Sequence, residues 1–149
     1  MLDNDQVISK LNHLLGTVID GEKGYREAAG EVENQQFKTM FNKYAQQRAS
    51  LAEDLKTQIR ALGGEPDDSG SLAASAHRAW INIREVLSSR DDYAIIAEAE
   101  RGEDVAIDNY QSVMNENLPA NVKSFVTEQY QKVKSTHDEV RDLKHSMQA

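Results

Sequence analysis

Four residues of this chain have the types and spacing to do chemistry: Glu22, Arg48, Glu103 and His137, each set into an otherwise apolar helical stripe. In the third of these stripes Tyr93, Ile96, Glu100, Glu103, Ile107, Tyr110 and Met114 recur at helical spacing, which puts Glu103 in the middle of an apolar face. An ionised carboxylate is almost never fully buried unless it is paired or bound to a metal, so whatever neutralises Glu103 defines the site. Gly102-Glu103 has an earlier counterpart in Gly21-Glu22. A glycine in a helix interior costs about 1 kcal/mol relative to alanine, which predicts that another helix passes close by and that the two Gly-Glu segments face each other.

The elements that must position these residues can be read from periodicity. Leu11, Leu15, Val18, Glu22, Tyr25 and Ala29 form the heptad of a first helix, capped by Asn4 or Asp5 and stopped at Gly30. A short polar turn, Glu31 to Asn34, sends a second helix back antiparallel, with Phe37, Phe41, Tyr44, Arg48, Leu51, Leu55, Ile59 and Leu62 on one face. Arg48 interrupts that face, with Gln47 as the alternative inward residue. Gly63 to Ser71 is a loop rich in glycine, proline and side chains that bond their own backbone. Leu72, Ala76, Trp80, Ile83 and Leu87 then predict a crossover helix of about eighteen residues, roughly 27 Å long. Ser88 to Asp92 cap a third helix that runs to about Asn117, and Pro119 opens a fourth. The fourth carries Val122, Val126, Val133, His137, Val140 and Lys144 on one line, beside Phe125, Gln129, Thr136, Leu143 and Met147. A long crossover makes the second and third helices parallel, which is an all-α four-helix bundle with one crossover connection. In a hairpin, residues equally far from the turn share a level. Glu22 and Arg48 are equidistant from Gln35, and Glu103 and His137 from Ala120, so all four are expected in one layer.

Composition narrows the function classes. At 149 residues the chain is read as one domain, able to bury roughly 70% of the surface its unfolded form exposes. With 25 acidic and 17 basic residues and a net charge of -8, it would repel phosphate backbones, so neither nucleic acid nor an anionic membrane is an expected partner. The chain has no cysteine, which excludes disulfides, zinc-thiolate sites and thiol nucleophiles. There is no apolar run of signal-peptide or membrane-spanning length, and a cytoplasmic protein is expected. Neither a nucleophile-base pair at a recognisable spacing nor a phosphate-binding glycine loop is present.

The Gly-Glu pairs of the first and third helices and the histidine of the fourth resemble the ferritin-like superfamily, particularly its rubrerythrin branch. In that branch the first and third helices carry Gly-Glu, and the second and fourth carry Glu-x-x-His. More closely, Arg101-Gly102-Glu103-Asp104 with Tyr110, Arg48, the Gly63-Gly64-x-Pro66 loop followed by His77-Arg78-Ala79-Trp80, and His137-Asp138 resemble an uncharacterised bacterial four-helix-bundle family of unknown function. The superfamily resemblance implies metal ligands at Glu22, Glu103 and His137. Where it calls for further ligands this chain has Arg48, Leu51 and Lys134. A di-metal centre relies on carboxylates to neutralise two cations, and here two of those carboxylates are replaced by positive charges.

Two readings follow. In the first, a buried network of Glu22, Arg48, Glu100, Glu103, Lys134 and His137, finished by the hydroxyls of Tyr25 and Tyr110, fills a degenerate di-metal site. The chain is then a non-catalytic scaffold or interaction module without a cofactor, and its expected partner is a second copy docked through an outer helix face. In the second, Glu22, Glu103 and His137, with Glu100 one turn away, hold one divalent ion of iron, manganese or zinc in a weak metal-binding or oxidase-like relative of rubrerythrin.

Overall fold

The computed structural model describes residues 1–68 and 91–148, and among them finds four α-helices and no strand: α1 (Asn4–Glu31), α2 (Gln35–Ala61), α3 (Asp92–Met114) and α4 (Ala120–Gln148). The expected crossover helix, with His77 and Trp80, lies outside the described residues. No helix among the described residues is long and apolar enough to cross a membrane.

Helix boundaries follow from capping chemistry. Asp3, rather than Asn4 or Asp5, caps α1: its carboxylate accepts from Gln6 N (2.8 Å) while its own N–H donates to Gln6 Oε1 (2.9 Å). Asn4 instead reaches across to donate to the Leu62 carbonyl at 2.8 Å. Gly30 does not stop α1, which continues to Glu31 and ends when Val32 turns extended. Asn34 caps α2 by accepting from Gln36 N (2.8 Å) and Phe37 N (3.2 Å). At its far end Gly63 takes a left-handed φ of 85°, so that Gly63 N reaches Arg60 O and Gly64 N reaches Ile59 O, each at 2.9 Å. Asp91 caps α3, accepting from Tyr93 N (3.0 Å) and Ala94 N (3.4 Å). Pro119 directly precedes α4, and its carbonyl accepts from Lys123 N at 2.9 Å.

Contacts between helices fix their directions. The start of α1 meets the end of α2 through Asn4 and Leu62, so this pair is antiparallel. Asp104 bonds His137 while Tyr110 bonds Gln129, which makes α3 and α4 antiparallel. Leu2 N donates to Asn117 O and Asn109 donates to Thr17, so α1 and α3 are antiparallel as well. It follows that α2 and α3 run in the same direction, an arrangement that requires a long connection between them.

The apolar core is in two parts. One part gathers Leu11, Leu15, Leu55, Ile59, Tyr110 and Val126 with their neighbours, and the other gathers Tyr25, Phe41, Tyr44, Ile95, Ile96 and Val140. Arg48 and Glu103, both buried, belong to neither. The buried face of α3 is rotated from the expected one toward Ile95, Ala99, Ala106 and Val113, leaving Tyr93, Glu100, Ile107 and Met114 half-buried.

Two glycines should respond oppositely to an added methyl group. At Gly64 a Cβ would lie 2.7 Å from Ile8 Cγ2 and 3.1 Å from Ile59 Cγ2, a clash at the branched part of both side chains. Gly64→Ala should therefore lower stability by about 1 to 3 kcal/mol. Gly30 is helical with nothing within 4 Å of its added Cβ, and Gly30→Ala should raise stability by roughly 0.5 to 1 kcal/mol. Urea midpoints of the two variants check both signs.

Candidate functional site

The buried residues of α2, namely Phe41, Tyr44, Ala45, Arg48, Leu51, Ala52, Leu55 and Ile59, are spaced at threes and fours, so helix geometry alone carries Arg48 into the core. Its inward orientation, rather than that of Gln47, agrees with the sequence expectation. The stem of Arg48 passes over α1 at Gly21, where an added Cβ would sit 3.3 Å from Nε, 3.5 Å from Cδ and 3.6 Å from Cγ. Gly21 is thus the position at which α1 makes room for the arginine.

The guanidinium then meets α3: Nη2 donates to Glu103 Oε1, with only 2% of either side chain exposed. The same carboxylate oxygen accepts the hydroxyl of Tyr25, whose ring centroid lies 5.9 Å from Arg48 Cζ. Tyr25 is held in turn by Tyr44, at 5.3 Å between centroids and edge-on, and by Phe41 at 5.7 Å. On the α4 side, Tyr110 donates to Gln129 Oε1 (2.7 Å), and Gln129 Nε2 donates to the Leu51 carbonyl (3.1 Å). Thr136 donates to Gln47 Oε1 at 2.8 Å, and Tyr44 donates to Glu139.

Burial and charge keep the hydroxyls of this layer neutral and its guanidinium charged. Burial pushes the Tyr25 hydroxyl well above its ordinary range, and the Glu103 charge beside it adds to the effect. Burial likewise raises Tyr110 and Tyr44, the latter with help from its bond to Glu139. These hydroxyls are neutral donors. Burial by itself would lower Arg48, but the Glu103 charge outweighs it and holds the guanidinium charged.

Several expected members of the layer lie elsewhere. Glu22 does not pair with Arg48: it is 27% exposed and bonds Arg26 one turn on, at 2.9 Å. Its neighbour Gly21 takes the inward position, a rotation of one residue, or about 100°. Lys134 is 48% exposed and pairs with Asp138 at 2.9 Å, not with a core carboxylate. Glu100 is half-buried and faces Lys144 at 3.6 Å. His137 is displaced by one residue in the same way, because Thr136 occupies the inward position. Its ring lies at the α3/α4 rim, with Nε2 2.7 Å from Asp104 Oδ1 and Nδ1 3.1 Å from Asp138 Oδ1. Glu22, Glu103 and His137 therefore do not come together, and among the described residues no three His, Asp or Glu side chains gather as a metal site would require.

With the site described, its relatives can be placed. Residues 6–116, most of the chain, match the family described as Domain of unknown function (DUF2383). The chain belongs to this family. The DUF2383 match spans α1 to α3 and so includes Gly21, Tyr25, Arg48 and Glu103, whereas Gln129, Thr136 and His137 lie beyond it. No curated protein matches the chain.

Sequence reasoning found Arg48, Glu103, Tyr25, Tyr44 and Tyr110 but missed Gln129 and Thr136 as polar members of the layer. Thr136 and Gln129 already stood on the fourth helix's second inward line, and two polar residues seven apart on such a line were the available signal.

Removing one partner of a buried pair leaves the other charge uncompensated, so Arg48→Met should destabilise by about 3 to 5 kcal/mol. Arg48→Met with Glu103→Leu should recover most of that loss. A double-mutant cycle by chemical denaturation should show strong coupling between Arg48 and Glu103 and none between Arg48 and Glu22.

The rim histidine gives a pH signature. Burial alone would lower His137, but its contacts with Asp138 and Asp104 outweigh this and hold it above its ordinary value. Asp138 is pulled down to about 2 by the bonds from His137 and Lys134. A group raised in the folded state adds stability that is complete below its unfolded value of about 6.5 and is lost as pH rises through the folded value. The melting temperature of wild type should exceed that of His137→Gln most below about pH 6.5, with the gap closing as pH rises through the folded value. A gap that stays constant would show that His137 does not titrate against these carboxylates.

Proposed function

We propose that this chain is a non-catalytic, ferritin-like helical scaffold or interaction module whose core layer is filled by an ion pair where metal-dependent relatives of that fold hold cations. The observation that carries this reading is the buried Arg48 guanidinium, paired with Glu103 and Tyr25 at mid-core. A fixed positive charge beside Glu103 opposes a divalent ion there by direct repulsion. The parallel α2 and α3 support a ferritin-like connection, since joining them demands a long crossover. Among the described residues Met1 is the one large apolar side chain that is exposed, so a partner, including a second copy of the chain, would meet polar helix faces.

The test is metal stoichiometry. Full-length protein purified without added metal, then given ferrous iron anaerobically and exposed to oxygen, should hold less than one iron per chain. It should also show no near-ultraviolet absorption of an oxo-bridged ferric pair. Two tightly bound irons per chain with that absorption would overturn the reading.

A further inference from the structure

The Arg48–Glu103 contact uses one atom from each side, and the remaining atoms are stranded. Arg48 Nη1 and Glu103 Oε2 are buried and neither has a hydrogen-bond partner among the described residues, whereas Glu100 Oε2 faces Lys144 Nζ at 3.6 Å. Buried polar atoms of charged groups almost always find a partner in protein or ordered water, because leaving one unpaired costs its full desolvation. The stranded set is one donor and one acceptor.

Charge selects the class of ligand that suits this set. Arg48 is balanced by Glu103, and Lys144, 3.6 Å from Glu100, balances that carboxylate at the rim. The tyrosine hydroxyls of the layer carry no charge. An ion entering here would upset a neutral layer, whereas a neutral molecule that accepts from one group and donates to the other would complete it. Buried waters typically make about two to four hydrogen bonds to such groups.

We propose that one ordered water is built into this core, accepting from Arg48 Nη1 and donating to Glu103 Oε2. The pair then acts as a hydrated unit, its direct bond on one side and a water bridge on the other. This inference rests on the side-chain pairing alone and holds whether or not the chain serves as a scaffold.

Water-oxygen magnetic relaxation dispersion on the full chain counts long-lived internal waters. Wild type should show one more such water than the Arg48→Met, Glu103→Leu double variant, in which both charges are replaced by apolar groups of similar size. Equal counts would overturn the proposal. A high-resolution crystal structure of wild type decides the matter independently of whether that variant folds. It should show a water within about 2.7 to 3.2 Å of Arg48 Nη1 and Glu103 Oε2. Two parallel direct bonds between Arg48 and Glu103, or an ion at that position, would refute it.

Discussion

A guanidinium group stays charged at every pH a protein normally meets, so Arg48 cannot enter a core by giving up its proton. Once α2 turns this side chain inward, the rest of the layer must answer it with a carboxylate, with hydroxyls that stay neutral, and with a helix that leaves space for the stem. Glu103, Tyr25 and Gly21 supply these from α3 and α1. The pair also constrains register. A sliding motion of α2 against α3 by one turn, about 5.4 Å, would leave both charges buried without partners, so the interaction selects one alignment of the helices even where apolar packing alone would tolerate others.

The levels of the fold were legible in the sequence, while the faces were legible only in part. Counting from the two turns placed residues near 21, 48, 103 and 136 at one height, and the structure agrees. On α2 the inward residue was correct because large aromatic and aliphatic neighbours bracket Arg48 on both sides. On α1 and α4 the inward position is one residue earlier than expected, at Gly21 and Thr136. Both errors have one physical cause. Glycine and threonine carry little hydrophobic signal, so an apolar-stripe reading passes over them to the adjacent charged residue, which then turns out to be at the rim. The glycine of the first Gly-Glu pair carries the structural role, and its glutamate is a surface residue bonded to Arg26. For the third helix the reading held at Glu103, since its own carboxylate is the answer to Arg48.

Two charged groupings on α3 differ in their surroundings and hence in their physics. Glu103 sits in a low-dielectric interior where solvent cannot reorganise around it, so its interactions are strong and its removal is costly. Asp104, the next residue, is exposed and meets His137 at the α3/α4 rim, where water and salt screen the contact. Adjacent residues on one helix thus serve a fixed internal pair and a titratable surface contact.

The division of the apolar core by the Arg48 layer bears on how the molecule opens. A polar stratum separates the two apolar parts, so they are joined through the helix backbones and the Arg48 layer and not through direct apolar contact. Partial unfolding proceeds through contiguous cooperative units, and the Arg48 layer is a natural boundary between two of them. Backbone amides near Phe41 and Ile96 should then exchange with solvent as one group and those near Leu11 and Leu55 as another, with the ionic layer between them.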